Sequence, residues 1–101
     1  MQINSSHRDG KLYVAINGTL EHDNERELTR QMRLLLNDSF NEAVFDLSQV
    51  PFMTAPTIGK FLMFYRNASA TGRSMRIQGV HDGIYRYFST LRLNRLFPVE
   101  K

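Results

Sequence analysis

The stretch from Ala43 to Tyr65 limits the folds open to this chain more than any other. It opens with an apolar run, Ala43-Val44-Phe45-Asp46-Leu47, short enough for a strand and continuous enough for a central one covered on both faces. A helical pattern follows a few residues later, with Ile58, Phe61, Leu62 and Tyr65 at i, i+3, i+4 and i+7. Thr54-Ala55-Pro56-Thr57 joins the two, and Pro56 suits the first turn of a helix, where its missing N–H costs nothing. A strand feeding directly into an amphipathic helix is an α/β unit. Such a join leaves backbone N–H groups free at the helix start, at the positive end of the helix dipole. Ligands and partners of α/β proteins gather there.

The flanking sequence extends the alternation. Gln2 to His7 reads as a weak strand, Arg8-Asp9-Gly10 as a hairpin turn, and Lys11 to Asn17 as a half-buried strand with Leu12, Val14 and Ile16 inward. Gly18 ends that strand, and Thr19 to Asn24 form a loop. A helix is expected over about 24–37, capped by Asp23 or Asn24, with Leu28, Met32, Leu35 and Leu36 inward. The strand in the opening stretch is placed at Glu42 to Leu47, and the second helix at about 57–70, with Thr71-Gly72 as its stop. A strand at Ser74 to Val80 and a helix at about 82–91 complete the pattern. That helix is capped by Asp82 and has Ile84, Tyr87 or Phe88, and Leu91 inward. The tail is expected to return Leu96, Phe97 and Val99 to the core. The predicted class is α/β: a four-stranded mixed sheet with three to four helices in the order β-β-α-β-α-β-α, one domain over residues 1–101.

Composition removes several functions. There is no cysteine, so disulfides and thiolate metal sites are excluded. His7, His22 and His81 fall in a strand, a loop and a turn, without ligands at metal spacing. No nucleophile elbow, dinucleotide fingerprint or phosphate loop occurs, so neither an enzyme nor a cofactor is expected. No run of about 18 apolar residues exists, and the first residues lack the basic-then-apolar order of a signal peptide. A cytoplasmic protein without membrane insertion is the expectation. Charge is uneven. Residues 1–55 carry five Lys/Arg and eight Asp/Glu, whereas residues 56–101 carry eight and two. A basic half can attract nucleic acid, anionic lipid or an acidic protein face, but no window concentrates the charge as a nucleic-acid patch does. Gly59 is unexplained by turns. It lies inside the second helix, where it costs about 1 kcal/mol relative to Ala, so either the sheet packs closely there or something else must approach the backbone.

Four segments in order resemble the STAS domain, the fold of bacterial anti-sigma factor antagonists and of the cytoplasmic tail of sulfate transporters. They are Ile16-Asn17-Gly18-Thr19-Leu20-Glu21-His22-Asp23, Val44-Phe45-Asp46-Leu47-Ser48-Gln49-Val50-Pro51-Phe52-Met53, Gly72-Arg73-Ser74-Met75-Arg76-Ile77-Gln78-Gly79-Val80 and Leu91-Arg92-Leu93-Asn94-Arg95-Leu96-Phe97-Pro98-Val99. The resemblance implies a module that binds an anti-sigma factor with a histidine-kinase-like ATPase domain, itself a serine kinase, and so releases a sigma factor. The family's switch motif, Asp-Ser-Ser/Ala-Gly-hydrophobic-Gly, aligns with Thr54-Ala55-Pro56-Thr57-Ile58-Gly59. Only Ile58 and Gly59 match, and Ala55 stands at the phosphoacceptor serine.

A phosphate at a helix start is held by free N–H groups and adds a charge of about −1.5 to −2, enough to block a docked partner. Ala55 has no hydroxyl to receive one. Pro56 should hold Ala55 extended, and Thr54 could cap the helix instead. Three accounts follow: a permanently binding-competent antagonist or scaffold, a phosphoacceptor moved to Thr57 or Thr54, or an alanine introduced in place of serine. The expected docking face is Thr54 to Gly59 with Lys60 and Met63, flanked by Glu21, His22, Asp23 and Asn24. The expected partner is the anti-sigma factor or another switch protein. One alternative is a STAS subunit that regulates a transporter ATPase or scaffolds a signalling complex. The other, ranked third, is a basic nucleic-acid-binding module.

Overall fold

Asp9 and Gly10 both take positive φ, 54° and 79°. These are the backbone angles a two-residue hairpin needs, and the turn joins β1 (Gln2–Arg8) to β2 (Lys11–Asn17) in antiparallel register. All later connections are crossovers. A computed structural model describes all 101 residues. After β2 come a 3-10 turn at His22–Asn24, α1 (Glu25–Leu36), β3 (Glu42–Gln49), α2 (Ala55–Ser69), β4 (Ser74–Gln78), α3 (Asp82–Thr90) and a second 3-10 turn at Leu93–Arg95. The sheet order is β1-β2-β3-β4, with β2–β3 and β3–β4 parallel. The tail pairs with the outer edge of β4. Ile77 N–H donates to Pro98 O and Glu100 N–H donates to Ile77 O, both at 2.9 Å, so residues 98–100 form a short extra parallel edge.

Strand alternation decides which face is covered. Leu12, Val14 and Ile16 of β2, Ala43, Phe45 and Leu47 of β3, and Met75 and Ile77 of β4 share one face and are buried in a single core cluster with residues of all three helices. The opposite face carries Asn4, Ser6, Ala15, Ser48 and Ser74 and stays open. The expectation that β3 is covered on both faces is therefore corrected. Val44 lies on the open face and is still buried, because its register neighbours Tyr13 and Arg76 flank it.

The buried stripe of α2 also differs from expectation. Ile58, Phe61, Phe64 and Ala68 are buried, whereas Leu62 and Tyr65 are only partly so. The reason is lateral. Phe64 packs under Phe40 and edge-on to Phe45, with centroids 6.2 and 5.0 Å apart. On the other flank Phe61 meets Phe88, and Tyr65 meets Phe97. Helix α2 is wedged between α1 and the α3–tail layer. In α3 it is Phe88, not Tyr87, that turns inward, and Leu91 is exposed because Arg92 at φ 60° ends the helix there. His81, not Asp82, holds the α3 N-cap position. Leu96 was expected in the core but is exposed, whereas Phe97 and Val99 are buried.

Candidate functional site

The parallel strands β2 and β3 end side by side, and the chain keeps pairing after regular structure stops. Gly18 N–H donates to Gln49 O, Leu20 N–H to Phe52 O, and Thr54 N–H to Leu20 O, each at 3.0 Å. Leu20 and Met53 bridge in parallel, and both are buried. This irregular ladder fastens the loop after β2 to the loop after β3. It brings the predicted segment Glu21 to Asn24 beside the predicted segment Thr54 to Gly59.

Thr54 is extended (φ −83°, ψ 161°) and occupies the N-cap position of α2. Ala55 is the first helical residue. The expectation that Pro56 holds Ala55 extended is corrected: with only a methyl group to set against the Pro56 ring, Ala55 enters the helix and the extended residue is Thr54. Thr54 also does not cap with its side chain. Its hydroxyl lies 3.4 Å from that of Thr57, and the first helical bond is Ile58 N–H to Thr54 O at 3.1 Å. The N–H groups of Ala55 and Thr57 have no acceptor within the chain.

Thr57 is fully buried. Its hydroxyl donates to Thr54 O at 2.7 Å and lies 3.3 Å from Leu20 O. That geometry opposes Thr57 as a substitute phosphoacceptor, because a kinase cannot reach a hydroxyl committed inside the fold. Thr54 is half-buried and Ala55 and Pro56 are exposed. Ile58 is buried and serves the core. Nothing lies within 4 Å of where a Gly59 side chain would begin, so close packing against the sheet does not explain this glycine. The backbone there faces open space.

Lys60 and Met63 continue the surface along α2, Lys60 partly covered and Met63 half-exposed. They also line a groove of about 280 Å³ between α1 and α2, floored by Met32, Leu36 and Phe64, with Arg33 opposite Lys60. On the other loop Glu21 and Asn24 are partly covered, Glu21 N–H reaching Asn24 Oδ1 at 3.4 Å, and His22 and Asp23 are exposed. His22 Nδ1 lies 3.3 Å from the Glu25 carboxylate. One turn into α1, Arg30 grips both carboxylate oxygens of Glu27 through one guanidinium edge, Nη2 at 2.6 Å and Nε at 3.0 Å. That pair, with Gln31 assisting, lowers the Glu27 carboxyl to about 2.

Two features escaped the sequence reading. Phe52 is a half-exposed aromatic directly before the join. It sits in the apolar run Val50 to Met53, whose pattern does not say which member faces outward. The α1–α2 groove is set by helix packing, which the pattern of either helix alone does not give. The three histidines remain apart: His7 pairs with Asp38, His22 with Glu25, and His81 with Ser48 O.

The family described as "Mlab, STAS domain" matches residues 3–98. The chain belongs to the STAS family. Among solved structures, an anti-sigma factor antagonist from Mycobacterium paratuberculosis superposes with a TM-score of 0.89 at 18% identity, covering 98% of this chain and 84% of that one. The Bacillus cell fate determinant SpoIIAA in its phosphorylated form gives 0.76 at 11% identity over 99% and 91%. A sulfate transporter family protein from Wolinella succinogenes gives 0.76 at 15% identity over 92% and 78%. The mixed sheet, the helix order and the tail of this STAS domain are thus a shared architecture, and no helix in it is long and apolar enough to cross a membrane.

Proposed function

We propose that this STAS domain is a cytoplasmic protein-docking module of the anti-sigma factor antagonist type and not an enzyme. It docks an anti-sigma factor with a histidine-kinase-like ATPase domain, or another switch protein. The docking face is the join of Thr54, Ala55, Pro56 and Gly59 with Lys60 and Met63, flanked by Glu21 to Asn24. Phe52 is added to it as an exposed aromatic anchor, the residue class that most often carries interface energy.

The observation that carries this reading is the state of the α2 start. Ala55 is exposed at the first helical position, next to free amide groups, and has no hydroxyl. Gly59, one turn on, is partly exposed with open space where a side chain would begin, at a cost of about 1 kcal/mol that no internal contact recovers. A surface open for close approach and unable to take phosphate at Ala55 suits permanent binding. Of the two neighbouring threonines, Thr54 is the one a kinase could reach.

The test is affinity capture from the native cell with intact-mass and phosphosite analysis. Recovery of an ATPase-domain kinase with an unphosphorylated STAS protein supports the constitutive antagonist. Phosphate on Thr54 supports a displaced switch, and a serine at position 55 in the native protein marks the alanine as introduced. A second reading is a STAS subunit that regulates a transporter ATPase or scaffolds a signalling complex; the fold is shared with a sulfate transporter family protein. Recovery of a membrane ATPase in the same capture would select it. The nucleic-acid reading loses ground because two cations of the basic half are already occupied: Arg73 binds Leu36 O and stacks over Phe40, and Arg76 pairs with Glu42.

A further inference from the structure

Helix α3 starts where the parallel strands end, with His81 Nε2 3.0 Å from Ser48 O. The tail after it pairs parallel to β4. The chain must therefore cross back between them, so the corner from Leu91 to Leu96 lies at the strand-start end, opposite the α2 join. Three large apolar side chains protrude at this corner or just before it: Tyr87, Leu91 and Leu96 are 45, 51 and 47% exposed. Tyr87 and Leu91 are one helical turn apart, on one side of the helix.

The same segment carries Arg86, Arg92 and Arg95, all exposed. Their guanidinium groups form no hydrogen bond and no ion pair. Residues 83–99 contain no Asp or Glu. The acids on either side are engaged elsewhere, Asp82 near Lys101 and Glu100 near Arg76. Arg92 holds φ 60°, a left-handed conformation that glycine would adopt more easily, so a cation is kept at the tip of the turn against backbone preference.

We infer that this corner is a second docking surface, and that its occupant is an anionic phospholipid surface. The charge argument favours an anion, since three exposed arginines without an ion pair fall within residues 86–95. The shape argument selects lipid. The corner is a helix end followed by a tight turn, and so convex, whereas an amphipathic partner helix needs a groove to lie in. A fluid interface accepts protruding leucines, seats a tyrosine ring at the headgroup level and surrounds them with phosphate for the arginines. Held this way, the domain would turn its α2 join away from the membrane. The inference does not depend on the proposed partner of that join.

The test is co-sedimentation of the full chain with vesicles of equal parts phosphatidylglycerol and phosphatidylcholine, against phosphatidylcholine alone. Binding is expected only to the anionic vesicles, and it should weaken as salt is raised. The triple variant Arg86→Gln, Arg92→Gln, Arg95→Gln should lose roughly tenfold or more in partitioning. Leu91→Ser with Leu96→Ser should lose binding at unchanged charge. All five side chains are exposed, so the variants should fold, which circular dichroism checks. Ala55→Glu, at the join, should bind vesicles like the parent. No binding to anionic vesicles, equal binding to neutral ones, or an unaffected arginine variant each overturns the inference. If the chain ignores vesicles but binds poly-glutamate or duplex DNA through these arginines, the occupant is a soluble polyanion and the lipid assignment falls.

Discussion

The hydroxyl of Thr57 donates to the carbonyl oxygen of Thr54 across the first turn of α2, at 2.7 Å, from a fully buried position. Thr57→Val keeps the shape and removes the bond, so it should destabilise the fold by about 1–2 kcal/mol in urea unfolding. Thr57→Ser keeps the hydroxyl and should lose only about 1 kcal/mol for the missing methyl. A Thr57→Glu variant would bury an uncompensated charge and should not fold at all. A well-folded Thr57→Glu protein would remove the claim that this hydroxyl belongs to the structure.

Gly59→Ala separates stability from binding. Open space surrounds the new methyl, so the helix should gain about 1 kcal/mol. The captured partner should bind more weakly, since the methyl occupies that open space. Thermal unfolding and a titration with the partner read the two effects independently. A variant that is more stable and binds equally well would mean that nothing approaches Gly59.

Ala55→Ser should leave stability within about 0.5 kcal/mol, because the position is exposed and starts the helix. It should also create a site that the cognate kinase phosphorylates, seen as a single added phosphate by intact mass. Ala55→Glu should favour the helix by about 0.3–1 kcal/mol through the dipole while abolishing docking. Tight binding by the Glu variant would place the partner elsewhere.

The Glu27 carboxyl should titrate near 2 instead of its ordinary 4.5, and Arg30→Gln should return it to the usual range. Because the folded value is lowered, whatever stability the pair adds is complete above about pH 4.5 and is lost as pH falls toward 2. Both side chains are solvent-exposed, so salt should reduce the effect. Carboxyl-carbon NMR during an acid titration measures it directly. An ordinary value would show that the two-pronged grip of Arg30 does not persist in solution.

Local chemistry made much of this fold legible. Asp9-Gly10 demanded its turn, the alternation of Leu12, Val14 and Ile16 fixed the inward face of β2, and Pro56 marked the first turn of α2, which begins at Ala55, two residues before the expected start. What stayed hidden depended on neighbours distant in sequence. Helix α2 is apolar almost all round, so its buried stripe could not be read until α1 and the tail were known to flank it. Val44 gave a misleading signal of two-sided burial because Tyr13 and Arg76 shield it from adjacent strands. At the site, the pairing of the two loops through Leu20 and Met53 was foreshadowed only by family resemblance, and the exposure of Phe52 had no local signature.

The pairing of residues 98–100 with β4 also bears on self-association. It occupies both main-chain groups of Ile77 and leaves little of that sheet edge free. Strand β1, with neither proline nor lysine to guard it, is the one long open edge. Two molecules meeting edge to edge along β1 would use up that edge on both. Strand addition along β1 therefore terminates at a pair.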